Sequence, residues 1–344
     1  MIRLCKYGTH RVIEPIGILP QAAFKLDSTP ICYDNECLIE VDILNIDSAS
    51  FHQIKEACHQ DEKLMKEMIL GIVKKQGKMQ NPVTKSGGML IGTVKQVGKD
   101  FSGKDLKAGI KLATLVSLSL TPLHIEEIIS INITNEQVKI KGQAILFDSG
   151  IYAVIPDDLD EKFVLAALDV AGAPAQVRKL AKPNDTVFII GANGKSGILC
   201  AYEAKKQVVP NGKVIGLVRK PEQVELLKSL NLFDTIIIEG ATNSIAVYEA
   251  LSAVTNQELA DLTINVVNTE NTEMTSILCT KDHGIVYFFS MATSFTRAAL
   301  GAEGIGKDIT MIIGNGYTKD HAKITLEILR ENKQLFDLFM SRYA

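Results

Sequence analysis

The sequence lacks any run of about 20 apolar residues, the length that a membrane-spanning helix needs. Its net charge of only -3 provides no basic stripe of the kind that nucleic-acid partners require. The six cysteines include no C-x-x-C pair, which favours reduced thiols over a disulfide framework. The first residues show no apolar signal-peptide core. We therefore expect a cytoplasmic protein with no membrane and no nucleic-acid partner.

With 344 residues, of which 46% are hydrophobic, the chain is long enough for two domains with cores of their own. Its second half alternates continuous Val/Ile runs with helical patterns, which is typical of buried parallel strands covered by helices on both faces. Strands are predicted at residues 186–190, 213–218, 234–239, 262–268, 284–290 and 309–313. Helices are predicted at residues 196–207, 221–230, 244–254 and 273–280. This order predicts an α/β domain of the Rossmann type, with a doubly wound parallel sheet.

The first half has strand-like segments separated by Gly, Asp and Asn turns, with one helical stretch over residues 49–75. It predicts a mostly β, barrel-like domain. Residues 291–308 form a glycine-rich connection and are predicted to be an active-site loop. The C-terminal segment has apolar residues at helical spacing. We place the first domain at residues 1–154, joined by the C-terminal segment 317–344, and the Rossmann domain at residues 155–316.

The run "VFIIGANGKSG" (residues 187–197) combines two phosphate-binding signals. Its Gly-Lys-Ser ending resembles a triphosphate loop, but that loop needs a glycine where this chain has Ile189, inside the strand. A strand, a tight glycine turn and a helix in this order instead predict a dinucleotide site, with the pyrophosphate at the helix N-terminus. The predicted contacts are Gly191, Asn193, Gly194, Lys195, Ser196 and Gly197.

The residue at the end of the second strand indicates the preference for NAD or NADP, because an acidic residue there would hold the adenosine ribose. Val218 occupies that position and Arg219 follows. Arg219 either accommodates a 2'-phosphate or only stacks on the adenine or points to solvent, so the cofactor stays NAD or NADP. Three residues that end other strands are further predicted cofactor contacts, because open α/β sheets bind ligands at that edge. They are Asn268, Thr269 and Ser290.

Two segments resemble the medium-chain dehydrogenase/reductase superfamily, in which a GroES-like domain precedes the Rossmann domain. They are "NPVTKSGGMLIGTVKQVG" (residues 81–98) and the run from residue 156 to 197. Zinc alcohol dehydrogenases of that superfamily carry Gly-His-Glu where this chain has Ser-Gly-Gly at residues 86–88. Their cysteine ligand falls near Asp47, and their four-cysteine zinc lobe is missing here. The resemblance implies a GroES-like first domain, no metal, and a homodimer.

A local zinc site would take three protein ligands. The helical stretch over residues 49–75 contains four side chains that can bind zinc: His52, Cys58, His59 and Glu62. A solvated helix face explains these side chains better than a zinc site does, so we expect no metal.

The N-terminal run "CKYGTHRVIEPIGILPQAAFKLD" (residues 5–27), with "NPVTKSGGMLIGTV" and "FIIGANGKSGILC", resembles the L-erythro-3,5-diaminohexanoate dehydrogenases of bacterial lysine fermentation. The resemblance implies NAD(P)-dependent oxidative deamination of the C3 amine of this small diamino acid, giving 5-amino-3-oxohexanoate and ammonia. Two alternatives remain: a metal-free NADPH-dependent quinone or enone reductase of the same superfamily, and a non-catalytic dinucleotide-binding protein.

Such a reaction needs a general base, acids for the second ammonium and a cation for the carboxylate. Asp47 and His52 are the predicted catalytic residues, since the superfamily's first domain faces the nicotinamide there. Asp47 is also a suitable cap for the helix that follows it, and Lys85 is a further candidate base. The predicted substrate-binding residues are Arg11, Glu14, Arg297 and Glu303.

Overall fold

The computed structural model describes residues 4–290, 292–314 and 316–343, in two compact units, Met1–Glu161 and Lys162–Ala344. The strands of the first unit are β1 (Val12–Glu14), β2 (Lys25–Leu26), β3 (Glu36–Asn45), β4 (Met89–Val97), β5 (Lys111–Thr114), β6 (Leu123–Asn132), β7 (Gln137–Phe147) and β8 (Tyr152–Val154). Strands β3 to β8 form one antiparallel sheet in the order β6-β7-β3-β4-β5-β8, and β1 pairs with β2. The helices are α1 (Ser48–Ala57) and α2 (Glu62–Gln76), and the core joins buried side chains of the sheet and of both helices, among them Leu44, Phe51 and Ile69.

The helical stretch predicted as one helix is two helices in the structure. His59 and Gln60, between α1 and α2, have φ of 51° and 62°, which a right-handed helix does not admit. Asp61 then begins α2, because its carboxylate accepts a hydrogen bond from the backbone N–H of Leu64 at 3.0 Å. Gly77 ends α2 in the left-handed conformation.

The second unit is an α/β domain. Its strands are β9 (Thr186–Ile190), β10 (Lys213–Val218), β11 (Thr235–Ile238), β12 (Ala260–Asn265), β13 (Thr280–Phe288) and β14 (Thr310–Ile313). All pair in parallel, in the order β11-β10-β9-β12-β13-β14, which is the strand order of the Rossmann fold. The helices, of which the first starts at the unit boundary, are α3 (Glu161–Leu168), α4 (Gly172–Leu180), α5 (Lys195–Gln207), α6 (Val224–Ser229), α7 (Ser244–Val254), α8 (Glu273–Cys279), α9 (Phe295–Gly304), α10 (His321–Glu331) and α11 (Lys333–Tyr343).

The glycine-rich connection after β13 is mostly helix, so its prediction as a loop is wrong. Helix α9 occupies residues 295–304, and its Ala298 and Ala302 are buried against the sheet side of the domain. Small residues give a weak hydrophobic pattern, and two glycines within the helix weaken it further. Met291, at the start of the predicted loop, lies outside the described residues.

The C-terminal helices pack on the second unit. Helix α10 lies against α4 and α5, and Arg178 of α4 ties the three together. Its guanidinium donates to the fully buried Glu203 of α5 at 2.8 and 2.6 Å and lies 3.5 Å from the carboxylate of Glu327 on α10. This differs from the sequence prediction, which grouped residues 317–344 with the first domain. An amphipathic pattern shows that a helix has an apolar face, but not which domain covers it.

In the part of the chain that the structure describes, no helix has both the length and the apolarity needed to cross a bilayer.

Candidate functional site

The glycine turn joins β9 to α5 as the sequence predicts. Gly191 follows β9 with φ of 94°, where L-residues are strained, and a Cβ there would lie 3.0 Å from backbone atoms of Val267. A Cβ on Gly197 would lie 2.3 Å from the carbonyl oxygen of Gly191. These two glycines are therefore required by the fold itself, because helix and turn approach each other closely.

Gly194 is different, because the fold leaves space around it. The nearest neighbour of a Cβ at this position would be the oxygen of Gly191 at 3.6 Å, an ordinary contact. Gly194 is the N-cap of α5, and no side chain caps this helix. The unsatisfied amides of a helix N-terminus attract anions. Glycine at this position thus keeps the approach to the helix N-terminus open.

A cleft of about 540 Å³ opens beside this turn, within the size range of small-ligand sites. Its walls come from the carboxyl ends of β9, β10, β11 and β12, the edge at which open α/β sheets bind ligands. Six of the residues predicted as cofactor contacts line this cleft: Gly191, Asn193, Gly194, Arg219, Asn268 and Thr269.

The cleft fits a dinucleotide on two observations. The side-chain oxygen Oδ1 of Asn193 is buried and has no hydrogen-bond partner among the described residues. A buried polar atom without a partner is costly in a native protein, so this oxygen and the uncapped amides of α5 are polar groups that a bound phosphate and ribose would satisfy.

Four predicted cofactor contacts are not among the residues that line the cleft: Gly197, described above, and Lys195, Ser196 and Ser290. Lys195 forms an ion pair with Asp169, its Nζ 2.8 Å from Oδ2, so its charge is directed at that carboxylate. Ser196 is only 9% exposed within the first turn of α5. Ser290 is not among the cleft residues; its hydroxyl accepts a hydrogen bond from the backbone N–H of Ala292 at 3.2 Å.

The cleft also contains an acidic residue that was not predicted from the sequence. Glu239 follows β11, one strand beyond the position where the acid was sought. Its Oε1 accepts hydrogen bonds from the N–H of Gly240 and from Asn243, both at 2.7 Å, and these bonds lower the pKa of the carboxyl. The signal was present in the sequence, since Glu239 is the last residue of a predicted strand whose end shares this edge of the sheet.

Asp47, in the first unit, has two unlike carboxylate oxygens. Oδ1 accepts hydrogen bonds from the backbone N–H of Ser50 and from the hydroxyl of Ser86, both at 3.0 Å, and the first of these caps α1. Oδ2 is buried without a hydrogen-bond partner in the described residues. The structure therefore shows the predicted helix cap and leaves one oxygen of the same carboxylate unused by it.

The structure does not bring His52 to Asp47. The imidazole of His52 is 68% exposed and lies 3.0 Å from Glu56, one helical turn along α1. Lys85 is exposed as well. The four side chains considered for zinc are dispersed: Cys58 is buried and His59 is exposed. Within the described ranges, no three His, Cys, Asp or Glu side chains are grouped closely enough to hold a metal ion.

Arg11 is a buried structural residue, which contradicts its prediction as a substrate contact. Its side chain and that of Glu36 are both fully buried. Nε and NH2 donate to the two oxygens of Glu36 at 2.9 and 2.6 Å, and NH1 donates to the carbonyl of Thr29 at 2.9 Å. Since every guanidinium nitrogen is engaged in the interior, Arg11 cannot bind a carboxylate from solution. Glu14, nearby in sequence, is exposed at the end of β1.

The two candidates on α9 are also separate from each other. Arg297 lies 3.2 Å from Glu273, a carboxylate that is only 1% exposed, and this pair ties α9 to α8. Glu273 also accepts a hydrogen bond from the backbone N–H of Ser294 at 2.6 Å. Glu303 is exposed near the end of α9. Arg297 therefore has a structural partner, and no described contact joins it to Glu303.

The chain is similar to known proteins over nearly its whole length. A family model, the L-erythro-3,5-diaminohexanoate dehydrogenase N-terminal domain, matches residues 10–156. The chain is 58% identical to L-erythro-3,5-diaminohexanoate dehydrogenase of Acetoanaerobium sticklandii over 340 residues, covering 98% of this chain and 99% of that protein. The protein of the same name from Fusobacterium nucleatum subsp. nucleatum is also 58% identical, with 98% and 99% covered.

An alcohol dehydrogenase from Thermotoga maritima is 14% identical with a TM-score of 0.56, over 90% of this chain and 85% of that one. At this identity the likeness shows the fold alone, and it confirms the predicted combination of a Rossmann domain with a mostly β, GroES-like domain. The sequence relatives are far more similar, and they set the family: the chain belongs to the L-erythro-3,5-diaminohexanoate dehydrogenase family.

Proposed function

We propose that the protein catalyses the NAD(P)-dependent oxidative deamination of L-erythro-3,5-diaminohexanoate to 5-amino-3-oxohexanoate and ammonia. The observation that carries this proposal is 58% identity, over 98% of the chain, to a protein named for this activity. The cleft of the second domain, beside the glycine turn and the uncapped N-terminus of α5, supports it independently, because such a reaction needs an acceptor for the electrons of the C–H bond.

A nicotinamide dinucleotide, when bound, supplies the hydride acceptor. The N-terminus of α5 and the turn at Gly191–Gly194 would hold its pyrophosphate, and Asn268 and Thr269 would lie against the nicotinamide end. Arg219, exposed at the end of β10 and lining the cleft, would meet a 2'-phosphate. We therefore propose that both NAD and NADP are accepted, with Arg219 favouring NADP.

Oxidation at C3 requires the amine in its neutral form, because only a free lone pair can stabilise the positive charge that develops on the carbon. A general base must therefore take a proton from the substrate ammonium. We assign this role to Asp47, whose Oδ2 has no hydrogen-bond partner among the described residues. With no metal proposed, the carboxylate of this residue is the group that moves the proton.

The reaction is tested by mixing the protein with L-erythro-3,5-diaminohexanoate and NAD or NADP at alkaline pH and following reduced nicotinamide by absorbance. Formation of reduced nicotinamide is expected with this diamine. Oxidation of NADPH by quinones or enones without any reaction of the diamine would instead indicate the reductase function. Binding of a dinucleotide with neither reaction would indicate a non-catalytic protein.

The role of Asp47 is tested by Asp47→Asn, which removes the proton acceptor and keeps the shape of the side chain. We expect kcat to fall by about 100-fold or more, the usual contribution of a general base, while the dinucleotide Kd is unchanged. Near-normal turnover would remove Asp47 from the catalytic residues.

A further inference from the structure

A triangle of three hydroxyl groups lies beside Asp47. The oxygens of Ser50 and Thr84 are 2.6 Å apart, those of Ser50 and Ser86 are 2.9 Å apart, and those of Ser86 and Thr84 are 3.0 Å apart. Ser50 is fully buried, and the other two are half-buried. The triangle touches Asp47 at one point, where Ser86 Oγ lies 3.0 Å from Oδ1.

Counting hydrogen atoms fixes the direction of the bond between the triangle and Asp47. Each hydroxyl has one hydrogen to donate, and an ionised carboxylate can only accept. Ser86 therefore donates to Asp47, and the hydrogens of Ser50 and Thr84 remain for the bonds within the triangle, where either partner of each Ser50 contact can be the donor. The linked hydroxyls end on Oδ1, and bonds in such a network strengthen one another.

The backbone holds the three hydroxyls in place. Asn81, which is fully buried, accepts from the N–H of Thr84 at 3.3 Å and donates to the carbonyl of Ser50 at 3.3 Å. A Cβ on Gly88 would lie 2.0 Å from the carbonyl of Asn45 and 2.7 Å from the N–H nitrogen of Asp47. Only glycine allows the start of β4 to approach Asp47 this closely, so the segment that carries Thr84 and Ser86 is fixed against the carboxylate.

The second oxygen of Asp47 provides an independent observation. Oδ2 is shielded from solvent and has no hydrogen-bond partner in the described part of the chain. Buried acceptors are nearly always paired in native proteins, and exceptions need an explanation. Here Oδ1 takes both available donors, and Oδ2 takes none.

We propose that Ser86, Ser50 and Thr84 are positioning residues that lock Oδ1 of Asp47 and leave Oδ2 as the atom that accepts the proton of the substrate ammonium. An N–H bond of the ammonium breaks, its electron pair stays on nitrogen, and an O–H bond forms at Oδ2. This inference rests on the proposed function, because it assigns partners to the base of that reaction.

The donated bond from Ser86 also favours the ionised carboxylate. Loss of the bond from Ser86 is therefore expected to move the acidic limb of the kcat/KM profile upward. A merely structural hydroxyl would change stability without moving this limb.

The test compares Ser86→Ala with Ser86→Thr, which restores a hydroxyl. A matched control is Ser48→Ala: Ser48 directly follows Asp47 in sequence, but its hydroxyl lies 2.5 Å from Glu136 and outside the triangle. The measurements are kcat/KM for the diamine from pH 6 to 10 and the dinucleotide Kd of each purified full-length variant. Thr84→Val removes a different hydroxyl of the triangle and serves as the test variant if Ser86→Ala does not fold.

For Ser86→Ala we expect the acidic limb to move up by about one pH unit and kcat to fall about tenfold, the effect of losing one hydrogen bond to a charged group. The dinucleotide Kd should be unchanged. Ser86→Thr should recover most of the wild-type profile, Thr84→Val should move the limb in the same direction by less, and Ser48→Ala should match the wild type.

An unmoved acidic limb in Ser86→Ala, or in Thr84→Val if only that variant folds, would overturn the inference. So would equal impairment of Ser86→Ala and Ser86→Thr. Failure of the positioning role can be distinguished from failure of the proposed base, because an active Asp47→Asn variant would show that Asp47 is not the base. An inactive Asp47→Asn with an unmoved limb in Ser86→Ala refutes only the positioning role.

Discussion

Replacing Arg11 with methionine is expected to destabilise the first domain and to leave the substrate site of the folded protein intact. The guanidinium and the carboxylate of Glu36 are both fully buried and joined by two hydrogen bonds, at 2.9 and 2.6 Å. Methionine fills similar space but leaves the Glu36 carboxylate in the interior without its counter-charge. Its remaining donors are His10, at 2.7 Å, and the N–H of Tyr33, at 3.0 Å.

Removing one partner of a buried ion pair costs about 3–5 kcal/mol, a large part of the roughly 5–15 kcal/mol that stabilises a typical domain. The double variant Arg11→Met/Glu36→Gln leaves no buried charge. Its loss in free energy of unfolding should therefore be smaller than the sum of the two single losses, by roughly 0.5–3 kcal/mol.

The loss of stability in Arg11→Met depends on pH, and the pKa of Glu36 sets the direction of this dependence. Burial alone would raise the pKa of Glu36, but hydrogen bonds from Arg11 and His10 outweigh it and hold the pKa below its usual value. Because the folded-state pKa is depressed, the stabilisation is complete above the ordinary glutamate pKa of about 4.3 and is lost as the pH falls through the lower folded value. The difference in free energy of unfolding between wild type and Arg11→Met should therefore become smaller in acid.

The assay is denaturant unfolding followed by circular dichroism at pH 7 and in acid, with KM for the diamine measured on the folded variant. We expect a large fall in the free energy of unfolding with KM within about twofold of wild type, a change below 0.5 kcal/mol. A variant with near-normal stability and a KM raised tenfold or more would refute this reasoning. It would show instead that Arg11 binds the substrate.

The cofactor cleft makes two further predictions. Gly194→Val should fold, since the nearest neighbour of a Cβ there is 3.6 Å away, but should weaken dinucleotide binding by at least about tenfold in calorimetry. Gly197→Ala, whose Cβ would lie 2.3 Å from the oxygen of Gly191, should instead lower Tm. Wild-type dinucleotide binding in Gly194→Val, or a wild-type Tm in Gly197→Ala, would contradict the roles given to these two glycines. Arg219→Ala should reduce the preference for NADP over NAD by about tenfold, the effect of one charge-assisted hydrogen bond, and an unchanged ratio would show that Arg219 does not contact the 2'-phosphate.

The second domain could be predicted closely from the sequence because parallel strands buried on both faces are continuous apolar runs. The strands predicted at residues 186–190 and 213–218 coincide with β9 and β10, and the helix predicted at residues 244–254 has the same bounds as α7. The glycine turn could be predicted as well, because the residues that form it are neighbours along the chain. Helix α9 was missed because alanines and glycines give little periodicity.

The contacts that decide individual roles could not be predicted, because they join residues far apart in sequence. Arg11 meets Glu36 across 25 positions, and nothing in the pattern distinguishes a buried arginine from one that binds a substrate. Ser50 meets Ser86 across 36 positions, and each serine alone resembles an ordinary turn residue. Only the folded chain shows that the two hydroxyls meet and that Ser86 donates to Asp47.

In the proposed reaction, the C3 carbon of the diamine transfers its hydrogen to the nicotinamide, and ammonia is released. The most direct test uses L-erythro-3,5-diaminohexanoate deuterated at C3, with mass spectrometry of the reduced dinucleotide and a parallel ammonia assay. We expect one deuterium in the reduced nicotinamide for each ammonia formed. Unlabelled reduced nicotinamide, or no release of ammonia, would contradict it.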